Sequence, residues 1–147
     1  MCLECDGYSH EQAMQALDLQ IQVHGWAVVQ VQADGPGWGW CYTIGLVEHF
    51  GHPELCIVDV DLQVGARTLN HLATQATNRR LPLAQLRLPG VSIHEVHANH
   101  LWSDLFGKWS QRYEQPLMPG QMVQVVLREG VRSGHHAPLA RRLDRPA

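Results

Sequence analysis

The chain has 147 residues, 45% of them hydrophobic and 17% charged, which supports one folded core and argues against intrinsic disorder. A formal charge of −3 speaks against a general nucleic-acid binder, and no apolar run approaches the ~20 residues that span a bilayer. The amino terminus, Met1-Cys2-Leu3-Glu4-Cys5-Asp6, lacks the basic-then-apolar layout of a secretory leader, and four cysteines in such a chain fit a reducing cytoplasm.

Ser9 and Gln12 form a capping box ahead of Ala13, Leu17 and Ile21, which recur at helical spacing, and Gly25 supplies a left-handed stop. The spacing predicts a helix over 10–23. Residues 26–32 (WAVVQVQ) and 38–44 (WGWCYTI) read as strands joined by the turn residues Asp34-Gly35-Pro36-Gly37, a hairpin. Residues 45–53 read as a loop, and 55–60 (LCIVDV) as a strand buried on both faces. Asp61 caps a helix that carries Leu62, Ala66, Leu69, Leu72, Ala73 and Ala76 to Asn78, and Pro82 bars its continuation. Residues 91–97 (VSIHEVH) alternate as a fourth strand. Residues 101–113 suit a helix with Leu101, Trp102, Leu105, Phe106, Trp109 and Tyr113 on a wide buried face, and 121–127 (QMVQVVL) is a last strand. Strands first adjacent and then separated by helices predict an α+β fold: a mixed, largely antiparallel sheet of about five strands with three helices, the helices on one side.

Charge is unevenly distributed. Residues 1–127 hold six basic and twelve acidic groups, whereas residues 128–147 hold five Arg and two acids. We read 1–127 as a single domain and 128–147 as a basic, flexible or loosely docked tail that could meet an acidic partner.

Several short segments point further. Cys2 and Cys5 in a C-x-x-C, His24-Gly25-Trp26, Tyr42-Thr43-Ile44-Gly45-Leu46, Gly51-His52-Pro53-Glu54-Leu55, Val96-His97 before an aromatic helix, and the Gln124-Val125-Val126 strand together resemble the bacterial domain of unknown function 4262 family. The resemblance runs from about Cys2 to Leu127 and does not reach the tail. It implies a shared fold and a shared site, and no reaction.

The residues themselves suggest where that site lies. Tyr42-Thr43-Ile44 ends a strand at Gly45, which permits a sharp turn or a close approach. Pro53 restricts both itself and His52, so the flanking His52 and Glu54 are held in set directions, as proton transfer or ligand contact requires. We expect Tyr42, Thr43, His52, Glu54 and His97 to line one concave site. There, His52 and His97 would meet an anionic ligand or a metal, Glu54 would orient a histidine, and Tyr42 would give an aromatic wall and a hydroxyl. The chain has ten His. Convergent imidazoles from His24, His49, His52, His97 and His100 would suit zinc or another divalent ion. Cys2 and Cys5 have the spacing of half a zinc knuckle, which His97 or another histidine such as His10 would have to complete. The two thiols are equally read as exposed groups at a frayed end. Cys41 and Cys56 are small core residues within strands. Trp38 and Trp40 either pack on the first helix or form a stacking platform, and Trp102 and Trp109 read as core. No phosphate loop, nucleophile elbow or HExxH motif is present. The function expected is binding of a small anionic ligand or a metal at a His-rich site. Alternatives are a metal-dependent hydrolase, or a protein-interaction module that uses the tail and the Trp pair.

Overall fold

In a computed structural model, residues 7, 9–33, 37–128 and 141–146 are described. Helix α1 (His10–His24) begins at Ser9 with the full capping box and ends at Gly25, whose φ of 83° closes the last turn. Strands β1 (Ala27–Gln32) and β2 (Trp38–Ile44) form the hairpin. A short helix α2 (Leu46–Phe50) follows, then β3 (Glu54–Asp61) and the long helix α3 (Leu62–Asn78), capped by Asp61 Oδ1 on the N–H groups of Gln63 and Val64. Strand β4 (Val91–Glu95) leads to helices α4 (Ala98–Leu101) and α5 (Gly107–Tyr113), and β5 (Met122–Leu127) ends the sheet.

The five strands lie in the order β1-β2-β3-β5-β4. Every pair is antiparallel except β3 with β5, where Glu54 lies beside Met122. The fold is α+β, with a mixed and mostly antiparallel sheet. The ends of β2 and β4 and the starts of β3 and β5 therefore meet at one end of it.

Three features differ from the sequence expectation. The sheet is covered on both faces. Alternate residues Tyr42, Ile44, Cys56 and Val58 join α1, α4 and α5 in one core, while Cys41, Leu55, Ile57 and Val60 join α3 in the other. The expected loop at 45–53 contains α2, which is too short to show a period. The expected helix over 101–113 is broken, because the Ser103 hydroxyl bonds the His100 carbonyl and accepts from Leu105 N–H, competing with the helical ladder. The break swings Trp102 out to 61% exposure, contrary to its reading as core, while Trp109 stays buried. In the terminal segment read as flexible or loosely docked, residues 141–146 dock on the sheet through Leu143, which is 0% exposed; residues 129–140 lie outside the described residues. No helix among the described residues is long and apolar enough to cross a membrane.

Candidate functional site

Three of the signature segments interlock at the end of the sheet where β2 stops and β3 starts. Glu54 is fully buried and receives five donors. Its Oε1 accepts from the Thr43 hydroxyl (2.9 Å) and Leu46 N–H (3.0 Å). Its Oε2 accepts from Gly45 N–H (3.0 Å), Val47 N–H (3.4 Å) and Trp109 Nε1–H (2.9 Å). Thr43 Oγ1 in turn accepts from Leu55 N–H (2.9 Å), which leaves its proton for Glu54. The carboxylate thus satisfies the opening N–H groups of α2, which a five-residue helix could not satisfy alone. Burial pushes the Glu54 carboxyl up, and the Trp109, Thr43, Gly45 and Leu46 donors pull it back. All five partners donate, so the ionised form is the one this environment is built to hold.

Gly45 explains why the HGW segment belongs to the same knot. Its φ is 113°, and a Cβ there would sit 2.4 Å from the Gly25 carbonyl oxygen. The two chain segments touch backbone to backbone, which only glycine permits. Tyr42 is buried beside them, edge-on to Phe106 at 5.3 Å, and its hydroxyl accepts from Lys108 N–H.

His52 differs from these residues. It is 7% exposed, and its Nδ1 lies 2.7 Å from the Pro53 carbonyl. A carbonyl only accepts, so Nδ1 carries the proton. That leaves the lone pair on Nε2, which is buried without a partner. Burial lowers the imidazole pKa, with the Pro53 bond opposing, so the ring is neutral near pH 7. His52 lines a cavity of about 490 Å³ with His49, Phe50, Pro53, Ala76, Arg80, Leu81, Pro82 and Leu83. Arg80 is exposed, holds a left-handed φ of 50°, and has no carboxylate partner among the described residues. His49 pairs with Glu48 at 2.8 Å.

A family model described as Domain of unknown function (DUF4262) matches residues 20–135 of the chain. The chain belongs to that family. No curated protein and no solved structure matches it. The DUF4262 match takes in the HGW, YTIGL and GHPEL segments and stops before the docked residues 141–146.

The expected site residues therefore separate into roles. Thr43 and Glu54 are joined in one buried knot, with Tyr42 packed beside it. His52 borders the cavity, while its Nε2 is closed off from solvent. His97 is elsewhere: it caps α4, its Nδ1 accepting from Asn99 N–H at 3.2 Å, and no residue from 94 to 100 lines the His52 cavity. Among the described residues, no imidazole hydrogen-bonds to Glu54. Among the described residues, no three His, Cys, Asp or Glu side chains gather as a metal would need, and Cys2 and Cys5 lie outside those residues. Trp40 packs through its Nε1–H on the Leu105 carbonyl. Burial pushes the Cys41 thiol up to about 12 and the Cys56 thiol up as well, which makes both unreactive. A larger hollow of about 650 Å³ runs along the β1 edge between α1 and α3, but no buried polar atom without a partner lines it. Arg80, two residues past the end of α3, borders the cavity although no sequence motif marks it. Sequence reading missed Trp109 as a donor because an indole at helical spacing reads as core.

Proposed function

We propose that this domain binds a small anionic molecule with an apolar body in the cavity beside His52. The observation that carries the reading is the bare Nε2 of a buried, neutral His52, a hydrogen-bond acceptor with nothing to accept. Unsatisfied buried polar atoms are rare in folded proteins and cost about 1–3 kcal/mol each. A ligand hydroxyl or N–H would satisfy it once the side chains that close it off from the cavity shift aside. Arg80 offers a charge-assisted bond to a carboxylate or phosphate, and Phe50, Pro53, Leu81, Pro82 and Leu83 offer apolar contact. The cavity has the size of small-molecule sites. The Glu54 knot gives His52 a rigid base, since the chain on both sides of it is fixed by hydrogen bonds.

The test uses 4-hydroxybenzoate, phenyl phosphate and inorganic phosphate as probes, with NMR signals of the His52 ring and the Arg80 side chain as readout. At least one organic probe should shift both sets saturably. His52→Phe and Arg80→Ala should each weaken its binding about tenfold or more. Probes that leave both sets unmoved, or shifts that survive both substitutions, would overturn the reading.

A further inference from the structure

Residues 141–146 are held against the sheet in the way a peptide ligand is held. The Arg141 N–H donates to Asp59 Oδ2 at 3.0 Å, and its carbonyl accepts from Gln124 Nε2 at 2.7 Å. Two residues on, the Leu143 N–H donates to Gln124 Oε1 at 2.7 Å, and its carbonyl accepts from the His97 N–H at 2.6 Å. Two further on, the Arg145 carbonyl accepts from His100 Nε2 at 2.7 Å. Backbone groups of alternate residues thus face the protein, and side chains supply most of the partners; Leu143 and Asp144 form a turn and Arg145 a bend, so the segment docks as a turn rather than as a strand.

Gln124 shows that the groove is built for this occupant. It is 0% exposed on a central strand, and its amide gives one donor and one acceptor to the same passing backbone. With the groove empty, both groups would lose these partners. Leu143 is the apolar anchor, fully buried in the core that also holds Val96, Leu101, Phe106 and Met122. Between anchor and solvent, Arg142 reaches His94 Nδ1 at 2.7 Å and Asp144 at 2.6 Å. Backbone hydrogen bonds around one buried side chain are elements of peptide recognition.

We propose that this surface, formed by β3, β5, β4 and α4, is a peptide-recognition groove for an Arg-x-Leu-x-Arg segment that turns at its Leu. Residues 141–146 are its resident occupant, and the same segment of a second copy is its occupant in trans. The chain argues for the second copy by its own sequence, which carries the one segment known to fit. The twelve residues 129–140 between β5 and the occupant can span up to about 40 Å, so connectivity does not tie a tail to its own groove. Reciprocal exchange would make a closed two-fold dimer.

The test takes the full chain carrying Leu143→Ser, which removes the anchor from the resident tail, and a fluorescent synthetic peptide of residues 140–147. The peptide should bind this variant saturably and raise its unfolding temperature. It should bind the wild-type chain at least tenfold more weakly, because the resident tail competes at high effective concentration. Adding Gln124→Ala to the variant should cost a further tenfold or more. Should Leu143→Ser not fold, Arg141→Pro serves as receptor: it removes the N–H given to Asp59 and leaves the core side chain in place. Equal binding to wild type and variant, or none to a folded variant, overturns the groove. A wild-type chain that stays monomeric up to about 1 mM, the range of tethered concentrations, overturns exchange between copies.

Discussion

Glu54 and His52 stand two residues apart and do opposite things. Glu54 is saturated: five donors close on two oxygens. Glu54→Gln would turn an amide NH₂ toward N–H groups that only donate or toward a Thr43 hydroxyl whose proton is aimed at it. Chemical denaturation should show a loss of about 2–3 kcal/mol, the cost of stranding buried donors; a loss under 1 kcal/mol would mean that the carboxylate is already protonated in the native state. His52 is unsaturated, and its burial lowers its pKa from the ordinary value near 6.5. The unfolded chain then binds a proton that the folded chain refuses. The resulting stability is complete above about pH 6.5 and falls as the pH drops from there toward the folded-state value. His94 shifts in the same direction, through burial and Arg142, so the comparison must isolate one ring. In His52→Phe the decline below pH 6.5 should be shallower than in wild type, by paired denaturation series at pH 5.5 and 7.5. Equal slopes would assign the pH dependence to other groups.

At the scale of elements, α2 exists because of a partner outside it. Its five residues have too little length to nucleate alone, and Glu54, eight residues beyond Leu46, holds its first N–H groups. Gly45 admits the chain into that arrangement against the Gly25 carbonyl. Gly45→Ala should therefore cost more than about 2 kcal/mol, combining a left-handed φ with a backbone clash, measured by urea unfolding; Gly51→Ala, with open space around it, should cost less. The same non-locality marks how far sequence reading reached. The α1 cap, the hairpin, the Asp61 cap and the last strand were legible because their signals are local: Ser9 with Gln12, turn residues, alternation. The second covered face, α2 and the break at Ser103 were not, since each depends on which residues meet across the fold. For the candidate site, Thr43 and Glu54 were expected to line a concave site with Glu54 orienting a histidine; they bond each other in a buried knot instead. That Glu54 would turn to Trp109 and α2 rather than to an imidazole depended on a contact 55 residues away.

Across the whole molecule, the terminal segment completes one of the two cores. Leu143 is fully buried in a stretch otherwise dominated by arginine, and an average over composition hides such a single anchor. Leu143→Ala should destabilise the entire domain by about 2–4 kcal/mol, the range for a core leucine, in calorimetry of the full chain. A value near 0.5 kcal/mol, typical of exposed positions, would mean that the segment contributes no core. The sheet order carries one more consequence. β5 is the last strand in sequence, yet it lies between β3 and β4. During synthesis, β1, β2 and β3 can assemble as a meander while β4 has emerged with no neighbour to join, because it pairs only with β5. The nascent chain must keep that slot open until residues 122–127 leave the ribosome, so closure of the domain is timed by the final strand rather than spread along translation.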